Sequence, residues 1–334
     1  MTQPTVLARA GGLVEPALRK AIASLHPLLR LPSEYHFGWV EPDGTPSSGN
    51  AGKGVRSALA VLGAEAAGGE AATAIPGAVA LELVHNFSLV HDDIIDDDRT
   101  RRHRRTVWDV YGVGDAIIVG DALHTLAFHV LLDDAGPAEL AAARRLAAAS
   151  TAIIGGQAQD TALDRSPEVN LAACVQMEAD KTGALLAQSV AIGAVLAGAT
   201  DAAVAALERY GSELGIAFQA VDDVLGIWGD PGVTGKPVGS DLRQRKKSMP
   251  VAVAMEAGGP LAAEIRRAFQ GEMTDDVVAR LAEQLDGAGA RARVYELASS
   301  HLAAALDALH GVGLVEAAVD ELSELAHFVV ERNF

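Results

Sequence analysis

Two aspartate clusters, each followed by a run of cations, constrain the fold of this sequence more than any other feature. The first cluster lies in residues 92–98, and residues 99–105 directly after it contain five arginines. The second is Asp222-Asp223, and lysines and arginines follow it as far as Lys247. Carboxylates bind metal ions and basic side chains bind phosphate oxygens, so this repeated pattern is typical of a metal-bound polyphosphate site. Both clusters end long apolar stretches, and one helical domain that joins them is the simplest arrangement.

The composition favours helices throughout the chain. Of the 334 residues, 49% are hydrophobic and only 4% are aromatic, and β-branched alternation is scarce. We therefore predict an all-α fold and a single domain over residues 1–334. The predicted helices cover residues 4–29, 53–67, 72–98, 116–135, 137–155, 167–198 and 201–228, followed by shorter helices that break near residues 258–260 and 287. Loops are predicted at residues 32–52, which receive no role, and 229–240.

Charge and cysteine usage exclude some classes of protein. The formal net charge of −17 argues against binding to nucleic acid or to an anionic membrane surface. A single cysteine, Cys174, permits no intramolecular disulfide, which suits a cytoplasmic protein. No secretion signal is visible at the N-terminus. The longest uncharged stretch, residues 182–200, contains polar residues and glycines, so we expect a buried helix there and no transmembrane segment.

The spacing within the first cluster predicts a metal site. Asp92 and Asp96 are four residues apart and would share one helical face, with Ser88 and His85 further along the same stripe. Stacked carboxylates repel one another unless a cation lies between them, and Mg²⁺ is the cation that suits such oxygen ligands. The alternative is a solvated acidic helix end. Acids at a helix C-terminus oppose the helix dipole, however, so a compensating function is the better interpretation.

The second cluster has similar spacing. Gln219, Asp222 and Asp223 would share one helical face, and Gly226 stands where a third aspartate would complete a copy of the first cluster. The loop after it resembles a nucleotide-binding P-loop but lacks two required residues. Lys236 in that loop is therefore interpreted as a flexible cation over a phosphate.

Other polar residues are weaker candidates. Lys53 and Arg56 flank a predicted helix start, where backbone N–H groups can also bind an anion. Lys181-Thr182 interrupts an apolar helix. Gln157 and Asp160 are three apart on a helix and fit either a functional site or a hydrogen-bonded core pair.

Together these residues resemble a known family, the trans-isoprenyl diphosphate synthases. The resemblance extends from about Lys53 to Pro250 and includes eight elements in matching order. The elements are Gly52–Arg56, His85, Asp92–Asp96, Arg101-Arg102, Gly156–Asp160, Lys181-Thr182, Phe218–Asp223 and Gly235–Leu242. Departures from the family pattern occur at Ala51, Ser57, His103, Arg105 and Gly226, and none removes a required charge.

The resemblance implies a helical bundle around a central elongation cavity, and a homodimer. It implies a head-to-tail condensation in which an allylic diphosphate ionises, isopentenyl diphosphate attacks the carbocation, and a proton leaves. It assigns three Mg²⁺ ions to Asp92, Asp96 and Asp222, with Asp93 and Asp223 near them. A dry cavity would protect the carbocation from water.

The resemblance also assigns the two substrates. It assigns isopentenyl diphosphate to Lys53, Arg56, His85 and Arg102, and the allylic diphosphate to Arg101, Lys181 and Lys236. Lys181, Thr182, Gln219 and Lys236 are the implied catalytic residues, with Thr182 and Gln219 facing the developing cation.

Chain length would be set near the first cluster. In this family, a bulky residue five positions before the first aspartate can close the elongation channel. Phe87, followed by the small Ser88, resembles synthases with a C20 product, geranylgeranyl diphosphate. A C15 product, farnesyl diphosphate, is the alternative, and Phe87 could also simply pack the core.

Three rival functions explain less of the sequence. A class I terpene cyclase would share the fold but needs an Asn-Asp-x-x-Ser-x-x-x-Glu motif, which the chain lacks. A His-Asp phosphohydrolase could use His85 and His91-Asp92 but leaves Lys181 and the second cluster unexplained. A non-catalytic subunit of a heteromeric synthase typically loses the metal-binding aspartates, and this chain keeps them.

Overall fold

The computed structural model describes residues 3–47, 54–133, 135–230 and 237–331. Within those ranges the regular structure is helical apart from one short hairpin and an isolated bridge between Val40 and Pro46, which confirms the predicted all-α fold. The helices of the first half are α1 (Thr5–Ala23), α2 (Pro27–His36), α3 (Val55–Ala66), α4 (Ile75–Ile95), α5 (Val107–Tyr111), α6 (Val113–Leu132) and α7 (Pro137–Arg165). A 3₁₀ turn (Ala71–Ala74) precedes α4, and strands β1 (Thr100–Arg101) and β2 (Arg104–Arg105) lie between α4 and α5.

The second half continues the same architecture. Its helices are α8 (Leu171–Glu178), α9 (Ala184–Leu196), α10 (Asp201–Trp228), α11 (Ser240–Arg243), α12 (Met249–Ala257), α13 (Gly259–Ala268), α14 (Asp275–Gly287), α15 (Ala290–Ala308) and α16 (Glu316–Val330). A single π-helical turn, Ala179–Gly183, joins α8 to α9. Turns of this kind are rare and often occur at functional sites.

Contacts between residues divide the chain into two compact units. One contains Met1–Ser150, Gln188–Glu208 and His310–Glu324, and the other contains Thr151–Ala187, Arg209–Leu309 and Leu325–Phe334. The first unit holds the Asp92 cluster and the second holds the Asp222 cluster. The prediction of a single domain over the whole chain stays a prediction.

Small residues let helices approach closely in the first unit. A Cβ atom on Gly63 of α3 would lie 2.0 Å from the carbonyl oxygen of Val190, and one on Gly193 would lie 1.9 Å from that of Ala60. The backbones of α3 and α9 are therefore in direct contact, and no larger side chain fits between them. The alanine-rich composition thus produces a densely packed helical core.

The predicted boundaries near the N-terminus were wrong in one respect. The helix predicted over residues 4–29 ends at Ala23, and α2 then includes Pro32, which was assigned to a loop. Pro27 occupies the first turn of α2, where its fixed φ is favourable, and the ring of His26 accepts a hydrogen bond from the Leu28 N–H (3.3 Å). These local signals start a new helix where the composition alone indicated a turn.

Two boundaries in the middle of the chain also differ from the prediction. Helix α7 continues to Arg165 instead of ending at Gly155. Gly156 does not end the helix; it lets the backbone approach Lys181, whose nitrogen would lie 2.4 Å from a Cβ at that position. The helix predicted over residues 167–198 begins only at Leu171, because the Asn170 side chain accepts a hydrogen bond from the Ala173 N–H (2.8 Å) and caps it.

Two helical segments are long and apolar enough to cross a membrane, judged by length and composition alone. They are Ala71–Ile95 and Val113–Leu132, whose apolar windows are 61% and 39% buried inside the protein. A mostly buried core helix such as the first passes the same test, and one or two such segments are weak evidence for a membrane span.

Candidate active site

Helix α4 carries the first aspartate cluster at its C-terminal end. Asp92 and Asp93 lie in its last turn, and Asp96 caps it. Asp93 is buried, with 1% of its surface exposed, and accepts a hydrogen bond from Arg101 Nε at 2.7 Å through Oδ1. Its Oδ2 is buried without a hydrogen-bond partner among the described residues. Burial raises the pKa of Asp93 to about 6 in spite of Arg101.

The arginine run after this helix is a hairpin and not a solvated tail. Strands β1 and β2 pair Arg101 with Arg104 across the turn, where Arg102 and His103 have φ values of 51° and 63°. The hairpin returns Arg101 to Asp93 on the helix before it. Non-glycine residues in the left-handed region are uncommon and often belong to functional sites.

The remaining arginines of the run have structural partners. Arg104 donates to Glu41 Oε1 (2.8 Å), to Ser47 Oγ and to the Val40 carbonyl. Both Arg99 and Arg105 form ion pairs with Asp109. Of the five arginines, Arg101 and Arg102 therefore remain the candidates for phosphate contact, as the resemblance implies.

An aromatic segment supports the hairpin, and the sequence assigned no role to it. Residues 35–39, here called the aromatic brace, bury Tyr35, Phe37 and Trp39. The Tyr35 hydroxyl donates to the Arg105 carbonyl (2.7 Å), and the Arg104 guanidinium lies 4.7 Å from the centre of its ring. This segment was expected to be a loop. Its unusual aromatic density was the one available signal, because aromatics are only 4% of the chain.

A group of cationic and imidazole side chains lies beside the first cluster. Burial lowers the pKa of Arg56, at the start of α3, to about 10, although Glu82 opposes the shift. Burial, and then Arg56, Arg102 and Arg101, hold the pKa of His85 well below its usual range, so the ring is neutral at pH 7. Arg56 Nε is buried and has no hydrogen-bond partner in the part of the chain described. These residues form a positive site with an unsatisfied donor.

The second cluster is held near the end of α10. Asp223 is buried, and both of its oxygens accept hydrogen bonds, Oδ1 from Gln219 Nε2 (3.0 Å) and Oδ2 from the Met249 N–H (2.8 Å). Met249 is the first residue of α12, so the carboxylate lies at a helix N-terminus. Burial and the neighbouring Asp241 nevertheless raise the pKa of Asp223 to about 7. Asp222, next to it, is only partly buried.

The π-helical turn positions Lys181 and Thr182. Lys181 Nζ lies 2.5 Å from Asp160 Oδ2, so Asp160 pairs with this lysine and not with Gln157. The hydroxyl of Thr182 is 3.3 Å from Gln219 Oε1 and 3.4 Å from Glu178 Oε2. Thr182 and Gln219, both predicted to be catalytic, are thus direct neighbours.

Glu178 was missed by the sequence reasoning. It is buried, and burial followed by the charge of Asp223 raises its pKa to about 8. Burial by itself would lower the pKa of Lys246. The negative charges of Asp241, Asp223 and Glu178 outweigh it and raise the pKa. The available signal was an acid three residues before Lys181 on an otherwise apolar helix. Lys246 therefore balances a buried acidic group.

Some predicted residues cannot be placed. Lys53 and Lys236 lie outside the described residues. Within the described ranges, no three His, Cys, Asp or Glu side chains converge in a geometry that could hold a metal ion. Mg²⁺ is commonly held by one or two carboxylates together with substrate phosphates, so Asp92 and Asp96, one helical turn apart, still suit it.

Phe87, the predicted chain-length residue, is buried between α4 and α6. Its ring centre is 4.6 Å from that of His124 and 5.5 Å from that of His91. Ser88 Oγ donates to the His85 carbonyl (2.8 Å). Phe87 is thus fixed at the contact between the two helices, which is compatible with a channel floor and also with ordinary core packing.

Comparisons with known proteins identify the family and the fold. The profile of the polyprenyl synthetase family matches residues 45–285. A (2E,6E)-farnesyl diphosphate synthase of Mycobacterium tuberculosis (strain ATCC 25618 / H37Rv) is 44% identical over 340 residues, which cover 100% of this chain and 95% of that protein. A geranylgeranyl diphosphate synthase of the same strain is 44% identical over 308 residues, which cover 91% of this chain and 88% of that protein.

Solved structures show the same likeness. A polyprenyl synthetase from Streptomyces coelicolor A3(2) superposes with a TM-score of 0.93 and 46% identity, covering 97% of this chain and 98% of that one. Other solved synthases contain isoprenyl diphosphate together with calcium in one case and magnesium in another.

Proposed function

This chain belongs to the polyprenyl synthetase family and is a prenyltransferase, and we propose from that premise that it condenses isopentenyl diphosphate head to tail with an allylic diphosphate. The reaction depends on Mg²⁺, with three ions per site. The main product is geranylgeranyl diphosphate, and farnesyl diphosphate is the alternative. The protein acts in the cytoplasm as a homodimer.

The observation that carries the proposal is the positive site beside the first aspartate cluster. Neutral His85 lies in the field of Arg56, Arg101 and Arg102, and Arg56 Nε is buried without a partner among the described residues. A diphosphate would supply acceptors for these donors and offset their mutual repulsion. Because Asp92 lies two helical turns from His85 on α4, the same helix holds cation-binding and anion-binding groups.

Each of these residues has a distinct part in the reaction. Arg56, His85 and Arg102 bind the diphosphate of isopentenyl diphosphate, with His85 as a neutral hydrogen-bonding group. Asp93 orients Arg101, because the Arg101 Nε–Asp93 Oδ1 bond fixes its guanidinium. A divalent metal bound at Asp92 and Asp96 would supply positive charge to stabilise the departing diphosphate.

The residues of the second unit support ionisation of the allylic substrate. Asp160 holds Lys181 in place for a diphosphate oxygen. The oxygens of Thr182 and Gln219 lie close together and present partial negative charge, which would stabilise a carbocation. Apolar helices exclude water, so the cation survives until the double bond attacks.

Phe87 supports the C20 product, because a bulky, fixed side chain before Asp92 can stop elongation. The farnesyl and geranylgeranyl synthases compared above are equally similar in identity, so they do not separate the two products. Phe87→Ala should yield longer products if the ring forms the floor. An unchanged product would mean that Phe87 only packs against His124.

An exposed apolar face on α6 supports the homodimer. Four large hydrophobic side chains of this helix are 44–54% exposed, a costly arrangement for a monomer. They are Val113 (46%), Ile117 (44%), Ile118 (54%) and Leu132 (46%). Sedimentation of the native chain should give a dimer, and Ile118→Lys should shift it toward monomer.

The direct test is incubation of the purified chain with Mg²⁺, isopentenyl diphosphate and each of the C5, C10 and C15 allylic diphosphates. Products are dephosphorylated and sized by mass spectrometry. A C20 alcohol supports the proposal in full, and a C15 alcohol supports the alternative product. A cyclic hydrocarbon from one allylic substrate would instead indicate a terpene cyclase.

A further inference from the structure

A cavity in the second unit uses none of the residues assigned to the reaction. It is lined by the end of α7, the segment after α11, and helices α12 and α13. Its volume is about 260 Å³, close to the lower limit for small-molecule sites. We call it the accessory pocket.

The accessory pocket is basic although the chain is acidic. Four cationic side chains line it, those of Arg165, Arg245, Lys247 and Arg266, against one carboxylate, that of Asp164. The chain as a whole has a net charge of −17, so this is a local reversal of charge. A basic concave surface attracts anions.

Lys247 removes an obstacle to anion binding. Its Nζ donates to the carbonyl oxygens of Leu163, Asp164 and Ser166 at the end of α7. The carbonyls at a helix C-terminus carry partial negative charge and would otherwise repel an anion. The lysine therefore caps the helix and leaves the arginines to face a ligand.

Arg245 and Arg266 have N–H donors available for a ligand. Arg245 Nη2 donates to the Gly271 carbonyl (2.7 Å) and Arg266 Nη2 to Glu168 (2.9 Å), which fixes both side chains. Arg266 Nε is buried and has no hydrogen-bond partner within the described residues. An unsatisfied buried N–H is costly, and an anionic oxygen in the pocket could satisfy it.

The rest of the lining is apolar. Val251, Met255, Ile265 and Phe269 come from α12, from α13 and from the residue after α13. A basic rim above an apolar floor suits an amphipathic anion with a compact charged head and a hydrocarbon tail. A free inorganic anion would leave this floor unused.

We propose that the accessory pocket binds a second molecule of a prenyl diphosphate, with its head on Arg165, Arg245 and Arg266 and its tail on the apolar floor. The identity of the tail rests on the proposed function, whereas the anion site does not. One segment connects the pocket to the second aspartate cluster, because Arg245 and Lys247 line the pocket and the N–H of Met249, two residues further on, donates to Asp223 Oδ2 (2.8 Å). Occupancy would thus bear on catalysis.

The test is isothermal titration of the full chain in EDTA, where metal-dependent binding at the aspartates is abolished. Farnesyl diphosphate, farnesol and inorganic diphosphate are the probes, so head and tail are separated. We expect farnesyl diphosphate to bind at least about tenfold more tightly than either fragment. Amides of residues 245–255 should exchange hydrogen more slowly when it is bound.

Variants locate the site. Arg165→Gln combined with Arg266→Gln should abolish this binding, whereas Arg267→Gln, an exposed neighbour on α13, should not change it. Arg56→Gln should weaken binding at the proposed isopentenyl diphosphate site and leave the accessory pocket intact.

Binding that is lost in Arg56→Gln but retained in the double variant would overturn the inference. Equal affinity for inorganic diphosphate would overturn the assignment of a tail. Neither result depends on whether the chain makes a prenyl product.

Discussion

Gly226 and Asp241 are in such close contact that a Cβ atom on Gly226 would lie 2.1 Å from Asp241 Oδ2. Asp241 is buried, with 6% of its surface exposed. Compared with the first aspartate cluster, the second lacks a third aspartate, and Gly226 stands at that position. In space, the carboxylate of Asp241 occupies the position that a side chain at residue 226 would take.

This contact predicts that Gly226→Asp is destabilising, because it forces a second carboxylate against a buried one. We expect a loss of about 1–3 kcal/mol in the free energy of unfolding, measured by urea denaturation. The double change Gly226→Asp with Asp241→Gly should recover part of the loss, since the two positions share one space. Additive losses in the double variant would contradict this account.

A charge-pair prediction concerns Lys181 and Asp160. If Asp160 acts by orienting Lys181, Asp160→Asn should lower kcat/KM for the allylic substrate, though less than Lys181→Met. The double variant should be no worse than Lys181→Met alone, a coupling of about 1 kcal/mol or more. Independent effects that multiply in the double variant would show that Asp160 has a separate role.

The aromatic brace predicts an effect at a distance. Tyr35→Phe removes the hydrogen bond to the Arg105 carbonyl, and we expect this loss to cost about 1 kcal/mol of stability. Because the hairpin that carries Arg102 would be held less firmly, the KM for isopentenyl diphosphate should also rise. Tyr111→Phe is the matched control, because its hydroxyl makes only a 3.5 Å contact with the Pro42 carbonyl. Equal KM values for both variants would mean that the brace does not position the hairpin.

Glu178 predicts a pH effect with a definite sign. Its pKa is raised to about 8 in the folded chain, so between about pH 4.5 and 8 the folded state holds a proton that the unfolded state has released. The Glu178 contribution to stability is therefore present below that window and lost as the pH rises through it. In EDTA, the Tm of Glu178→Gln relative to the native chain should increase from about pH 5 to 8. Glu283→Gln, on the exposed surface of α14, should show no such trend. If the difference in Tm between Glu178→Gln and the native chain stayed constant over this pH range, the raised pKa of Glu178 would be contradicted.

The sequence was sufficient to predict the all-α fold class, because alanine- and leucine-rich segments with helical periodicity are compatible with few structures other than packed helices. It also identified Thr182, which interrupts an apolar helix, and Gln219, which shares a helical face with Asp222 and Asp223; the structure brings the two side chains to 3.3 Å. It could not show that Gly156 is a close-approach residue inside a helix, since a glycine pair normally indicates a helix end.

Other features depended on contacts distant in sequence. The partners of Arg104 at Glu41 and Ser47 come from a segment with no regular pattern, so these contacts could not be predicted. The aromatic density of the brace was visible in the sequence, but the hydrogen bond from Tyr35 to the Arg105 carbonyl was not. The position of Glu178 on an apolar helix was visible in the sequence, but its interaction with Asp223 and Lys246 was not. The accessory pocket combines the end of α7 with α12 and α13, and none of these carries a motif.

The most direct test of the proposed function is the rate of prenyl elongation after loss of one metal-binding carboxylate. Asp92→Asn and Asp97→Asn should be compared with Mg²⁺, isopentenyl diphosphate and farnesyl diphosphate. Asp97 is exposed and has a φ of 54°, which asparagine adopts readily, so its replacement controls for charge alone. We expect Asp92→Asn to lower kcat by about 100-fold or more and Asp97→Asn to retain native turnover. Full activity of Asp92→Asn, or elongation that persists in EDTA, would contradict a metal-assisted prenyltransferase built on this cluster.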